Sequence, residues 1–296
     1  MLVMLSLNFK YQTKQICMNH MLKAQVLLTT FMFCHYLMKA FWGDSWSEVL
    51  LILDQQSYVL LTLLRYLFIY GPLVLVASLL FKDNPWYDVL GLNVEGFQQY
   101  FLAAVMCCIP MTIGYSLLSP ELTLSLSAIM TGSVYAGVFE DIIFRSTLFG
   151  VLFRYCRWGF IPAAIISSVI FGFGHIYQGH DAISALTAVA ITAVAGTWFS
   201  WLYCECGYRI WFPMFMHIFM NAAFGIFGMS GGAAGDIEGN IFKASSIILS
   251  LVYVQLLVRK GKRREITLAS LWRNNPIIPQ QAHLKNQSPQ KENRYV

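Results

Sequence analysis

The sequence predicts an all-α, polytopic integral membrane bundle of about eight transmembrane helices, and three observations predict it. Of 296 residues, 57% are hydrophobic and only 12% are charged, against roughly 25% charged in an ordinary soluble domain. The apolar runs are long enough to cross a bilayer, which takes about 20 residues each. The net charge of +5 is unevenly spread. Arg259, Lys260, Lys262, Arg263 and Arg264 cluster directly after the last apolar run, the usual mark of a cytoplasmic flank near anionic lipid headgroups.

Eight apolar segments carry the prediction: approximately 24–42, 57–81, 97–118, 121–153, 160–175, 182–203, 210–228 and 241–258. Turn residues join them, as in "FKDNPWYD" after the second and "MSGGAAGDIEGN" before the eighth. The fourth is too long for one straight span. Its 33 residues from Glu121 to Phe153 would reach ~50 Å as a helix, so it must tilt, protrude or break, with Gly132 and Gly137 the places to break. No small-residue cleavage site follows the first segment, which reads as a retained helix rather than a removed leader.

Basic residues set the expected orientation, with both termini cytoplasmic. The inner loops then hold Lys10, Lys14, Lys23, Lys82, Arg154, Arg157, Arg209 and the 259–264 cluster, while Lys39 and Lys243 sit near outer helix ends. The expected organisation is a cytoplasmic segment 1–23, three helices in 24–120, a core in 121–230, a last helix in 231–258 and a basic, then disordered, tail in 259–296.

Several function classes fall away. No aromatic-interleaved basic face accompanies the charge cluster, so no nucleic-acid partner is expected. No CxxC pair occurs; Cys34, Cys107, Cys108 and Cys156 sit in or beside apolar runs as small hydrophobes, and Cys204 and Cys206 flank Glu205 without making a metal motif.

Three polar sites interrupt the apolar runs. "GVFEDIIFRSTLFG" puts Glu140, Asp141 and Arg145 in the fourth segment. "SSVIFGFGHIYQG" puts His175 four residues after Phe171, and "WFPMFMHIFMNAAFG" puts His217 and Asn221 on one helical face. Counted from the cytoplasmic ends, Glu140 lies ~21 Å deep, His175 ~24 Å, His217 ~12 Å and Asn221 ~18 Å. These depths overlap once helix breaks at Pro162 and Pro213 are allowed for, so the groups can converge.

Each site also has a plain structural reading. Asp141 and Arg145, four apart, can simply neutralise one another. His175 can be an interfacial histidine, and His217 with Asn221 can bond neighbouring helices. Glu140 resists this treatment because one arginine hardly neutralises two carboxylates, and a surplus intramembrane carboxylate points to function. A carboxylate in a poorly solvated cavity is a general base toward water. Histidine can share that water or polarise a carbonyl, and a second histidine with an amide can donate to an oxyanion. No Ser or Cys is placed as a nucleophile.

E-[E/D]-x-x-x-R, F-x-x-x-H and H-x-x-x-N, here "EDIIFR" at 140–145, "FGFGH" at 171–175 and "HIFMN" at 217–221, resemble the motifs of the CAAX-prenyl endoprotease and bacteriocin-processing membrane protease family. The resemblance covers roughly 121–230. It implies an intramembrane endopeptidase in which Glu140 activates water with His175, His217 and Asn221 bind the oxyanion, and Arg145 pairs with a carboxylate. Phe171 marks the second motif. The second acid of the family is usually Glu, and Asp141 departs from it by one methylene.

No cofactor is favoured by this reading. Zinc is the alternative, with Glu140, His175 and His217 as ligands, although no H-E-x-x-H is present and Asn221 suits an oxyanion hole better than a coordination shell. The expected partners are the bilayer and a peptide or membrane-anchored protein substrate, prenylated or not. Two rivals stand beside the protease: a non-catalytic scaffold or bacteriocin-immunity-type protein of the same fold, and a small transporter with an intramembrane proton site, against which no internal repeat is visible.

Overall fold

The structure is a computed structural model that describes residues 20–41, 53–119, 122–229, 235 and 237–274. Among these every regular element is helical, apart from one isolated bridge between Trp158 and Arg273. All eight apolar segments are helices: α1 (His20–Phe41), α2 (Gln55–Leu80), α3 (Phe97–Leu118), α4 (126–154), α5 (Phe160–Phe173), α6 (Ala182–Glu205), α7 (Trp211–Ile226) and α8 (Ile237–Arg259). Five of them, α1, α2, α3, α6 and α8, are long and apolar enough to cross a membrane by length and composition. With α5 and α7 as shorter apolar helices and α4 at the centre, the chain is a multi-pass membrane protein.

Sequence chemistry explains the helix ends. Asp181 caps α6 by accepting from the backbone N–H groups of Ile183 and Ser184 at 2.8 Å, while the Ser184 hydroxyl accepts from the Asp181 N–H. This reciprocal arrangement satisfies donors that a helix start leaves unpaired. Pro162 and Pro213 lie in the first turns of α5 and α7, where no intrahelical N–H is lost. Neither proline breaks its helix, contrary to the expectation from the sequence.

Helix α4 packs against α2, α5, α6 and α7. Its stretch from Ile143 to Gly150 is buried on every side, the pattern of a helix enclosed by others. It does not break at Gly132 or Gly137. Instead the stretch Met130–Gly150 is wound as a π-helix, the wider i→i+5 winding that is most often met in single turns at functional sites. Gly137 has another role. A Cβ there would lie 2.5 Å from Ile218 Cγ1 and 3.1 Å from the Ile218 backbone nitrogen, so the missing side chain lets α4 and α7 touch. Close approach through small residues is how membrane helices associate without a hydrophobic force between them. Gly172 of α5 does the same against the Val189 carbonyl of α6.

The outward surface remains apolar: Leu64, Leu67, Leu79, Leu102, Met106, Leu117 and Val194 are each exposed, in a chain whose polar groups gather elsewhere. One such gathering is at a single end of the bundle. There the Lys23 ammonium sits over Phe81, Arg154 donates to the Asp88 carbonyl at 2.7 Å and to the Tyr203 hydroxyl at 3.0 Å, and Arg209 pairs with Glu95. The six cysteines among the described residues, Cys34, Cys107, Cys108, Cys156, Cys204 and Cys206, are buried and free.

At the same end the stretch after the basic cluster is docked: Asn274 donates to the Phe153 carbonyl at 2.8 Å, Ile161 N–H bonds the Leu271 carbonyl at 2.9 Å, and Ile266 N–H bonds Glu205 Oε1 at 3.2 Å. Leu271 and Trp272 pass directly over Gly159, where a Cβ would come within 2.4 Å of their backbone. Residues 275–296 and 1–19 lie outside the described residues.

Candidate active site

Asp141 and Arg145 form the base of the site. Their one-turn spacing on α4 brings Arg145 Nε to 3.1 Å from Asp141 Oδ1, with the two side chains 1% and 0% exposed. The guanidinium also lies against aromatic rings, 3.9 Å from the centre of Phe171 and 5.4 Å from that of Phe199. A buried arginine is tolerated when it is paired and its flat face is covered. Phe171, the first residue of the second motif, thus contacts the arginine of the first.

Helix α7 brings the third motif in. His217 Nδ1 lies 3.6 Å from Asp141 Oδ1 and Nε2 lies 3.8 Å from Glu140 Oε2, so the ring stands between the two acids. Phe199 of α6 stacks on it with centroids 5.2 Å apart. Both separations are longer than a direct hydrogen bond, and polar groups at such spacing are commonly bridged by water. Glu140 is the outward member of the pair of acids, 19% exposed where Asp141 is sealed.

His175 is held by the end of α5. The chain leaves the helix at Gly174, and His175 Nδ1 lies 2.9 Å from the Phe171 carbonyl. A carbonyl only accepts, so Nδ1 carries the hydrogen and Nε2 of the neutral ring is left as an acceptor. The ring also packs edge-on against Phe171, centroids 4.7 Å apart.

Glu140 and His175 share a cavity of about 380 Å³, walled by His35 and Lys39 of α1, Arg65, Tyr66 and Tyr70 of α2, and Phe144 and Phe171. Tyr66 stacks on Phe139 at 4.7 Å, next to Glu140, and His35 Nδ1 meets the Tyr70 hydroxyl at 2.9 Å. The sequence reading passed over this wall. Arg65 was the available signal, because a charge well inside the apolar run 57–81 is as unusual as Arg145.

Of the seven residues singled out from sequence, the fold brings Glu140, Asp141, Arg145, Phe171 and His217 into one network, and His175 lines the same cavity as Glu140. Asn221 is placed differently. Its Nδ2 donates to the Gly132 carbonyl at 3.2 Å, tying α7 to α4, although an amide keeps a second N–H. The zinc alternative does not fit these positions. Among the described residues no three His, Cys, Asp or Glu side chains, the set Glu140, His175 and His217 included, form a metal-holding group. What the side chains do offer is acid–base groups around a cavity of about 380 Å³.

Comparisons with known proteins bear on the same stretch. Residues 122–223 match the family described as type II CAAX prenyl endopeptidase Rce1-like. A curated protein of Bacillus subtilis (strain 168), "Putative membrane peptidase YdiL", is 38% identical over 93 residues, which is 31% of this chain. The match spans about a third of that relative's length, 34%. No solved structure matches the chain significantly.

Proposed function

We propose, from the match of residues 122–223 to the Rce1-like type II CAAX prenyl endopeptidase family, that this protein is an intramembrane endopeptidase in which Glu140 activates water. The observation that carries the reading is the unequal treatment of two adjacent acids. Asp141 is sealed against Arg145, while Glu140 faces a cavity that also holds His175. An acid that borders a water-sized space, with a histidine at 3.8 Å, suits a general base; one buried against a guanidinium suits a structural partner.

The proposed steps use these positions. Water in the cavity donates to the Glu140 carboxylate and to the lone pair of His175 Nε2, which its Nδ1–H bond to the Phe171 carbonyl keeps available. Glu140 takes the proton as the water oxygen adds to the scissile carbonyl. The charge that develops on the carbonyl oxygen needs donors fixed in advance. His217, wedged between the acids and backed by Phe199, supplies one N–H, and the second N–H of Asn221 is the other candidate. Glu140 then returns its proton to the leaving nitrogen, and the peptide bond breaks. Lys39, Arg65, Tyr66 and Tyr70 face the substrate from α1 and α2.

The topology proposed with this function keeps both termini on the cytoplasmic side. The gathering of Lys23, Arg154 and Arg209 at one end of the bundle supports it.

The test needs no assumed substrate. Wild type and Glu140→Ala are expressed at matched levels in the native host, and new protein termini are compared across the membrane fraction. Termini present only with the wild type are expected, and they identify the substrate. Their persistence after chelation supports the Glu–water chemistry; their loss to a chelator and return with zinc contradicts it. Identical termini, with the variant stably inserted, contradict proteolysis.

A further inference from the structure

The cavity beside Glu140 contains more positive charge than its own acid balances. Lys39, at the end of α1, and Arg65, inside α2, both line it. Lys39 is within electrostatic reach of both Arg65 and Glu140. Neither base makes an ion pair among the described residues. Lys39 and Arg65 are two cations beside one carboxylate, Glu140, in the lining of this space. The Glu140 carboxylate is shared between His217 and Lys39, one negative charge against two cations. An arginine set among Tyr66, Tyr70 and Phe144 in a membrane-embedded wall bears the cost of partial desolvation with no visible return in stability. Such a group is kept to bind something.

We propose that Lys39 and Arg65 form a carboxylate-binding subsite that holds an anionic group of the peptide while the bond to be cut lies at Glu140. This rests on the peptidase reading and goes beyond it, since both residues lie outside the family segment 122–223. The flat, forked guanidinium matches a carboxylate in two-point fashion, and the flexible ammonium adds a point charge. The carboxylate can be the C-terminal group of the peptide or an Asp or Glu side chain. Either would position the peptide relative to Glu140, because Lys39, Arg65 and Glu140 wall one space of about 380 Å³, too small to hold more than a few residues. A walled space shared with Glu140 favours a peptide group over a lipid headgroup.

The experiment reads binding separately from cleavage. Full-length Glu140→Ala protein in nanodiscs of zwitterionic lipid is mixed with a ten-residue peptide library, made in equal parts as free acids and C-terminal amides. Bound peptides are recovered and quantified by mass spectrometry. Enrichment of carboxylate-bearing peptides by about tenfold is expected, as one charge-assisted contact implies. Acids enriched over amides identify the C-terminus; Asp or Glu enriched within the amides identifies a side chain. Either preference should fall toward unity when Lys39→Gln or Arg65→Gln is added. Lys39 is exposed, so its variant keeps the test valid if the Arg65 variant fails to fold. No carboxylate preference, or one that survives both substitutions, overturns the subsite even if wild type cleaves peptides. A preference without any cleavage by wild type keeps the subsite and contradicts the peptidase.

Discussion

Asp141 Oδ1 and Arg145 Nε lie 3.1 Å apart in a part of the bundle where neither side chain is more than 1% exposed. The arginine is committed to Asp141, and Glu140, next in sequence, borders the cavity instead.

Breaking the pair should therefore damage the fold before it damages the chemistry. Asp141→Asn or Arg145→Met alone is expected to destabilise by about 3–5 kcal/mol, the cost of leaving one buried charge unmatched. The combined replacement Asp141→Leu with Arg145→Met should recover much of that loss. Thermal midpoints of the four proteins in one detergent check it, and additive losses would show that the two side chains do not depend on each other.

His175 should behave in the opposite way. Its ring hangs from the Phe171 carbonyl at the edge of the cavity, so His175→Phe keeps the ring volume while removing Nε2. Turnover is expected to fall by about 10²–10⁴-fold, the range for loss of a positioned acid–base group. The thermal midpoint should move little. A variant that keeps full turnover would remove His175 from the mechanism.

Much of this network is visible in the sequence, and the reasons are specific. Asp141 and Arg145 are one turn apart, so their contact is local and readable from spacing. Overlapping depths allow His217 to approach the acids without specifying the contact. The wall from α1 and α2 is different. Helices apolar all round show no face that announces what they pack against, so His35, Tyr66 and Tyr70 carry no local mark. Asn221 lies on α7 as expected, and spacing alone does not show that its amide meets the Gly132 carbonyl of α4. The docking of 262–274 is hidden for another reason: composition registers polar residues, while what holds this stretch is backbone bonding at Leu271 and Ile266 and a glycine that leaves room for it.

That docking can be measured. Asn274→Ala removes the donor that reaches the Phe153 carbonyl at the end of α4. A destabilisation of about 1 kcal/mol is expected, rising toward 3 if water cannot reach the carbonyl. An unchanged midpoint would mean the stretch is not bound to the bundle in solution.

Gly137 tests the link between packing and catalysis. Valine there places carbon 2.5 Å from Ile218 Cγ1 and 3.1 Å from its backbone nitrogen, which overpacking makes costly by about 1–3 kcal/mol. Because Ile218 adjoins His217, α7 should shift away from Glu140 and turnover should fall more than stability does. Adding Ile218→Ala should restore part of both losses, and only part, since the backbone contact remains. Full activity in Gly137→Val would show that the approach of α4 to α7 does not position His217.

The division of work between the two adjacent acids is tested most directly by measuring turnover and thermal midpoint together for wild type, Glu140→Gln and Asp141→Asn on one peptide taken from the Glu140-dependent termini. The account predicts that Glu140→Gln loses at least about 10²-fold in turnover while keeping its midpoint, and that Asp141→Asn loses its midpoint first. An active Glu140→Gln protein, or an Asp141→Asn protein that is fully stable and inactive, would contradict it.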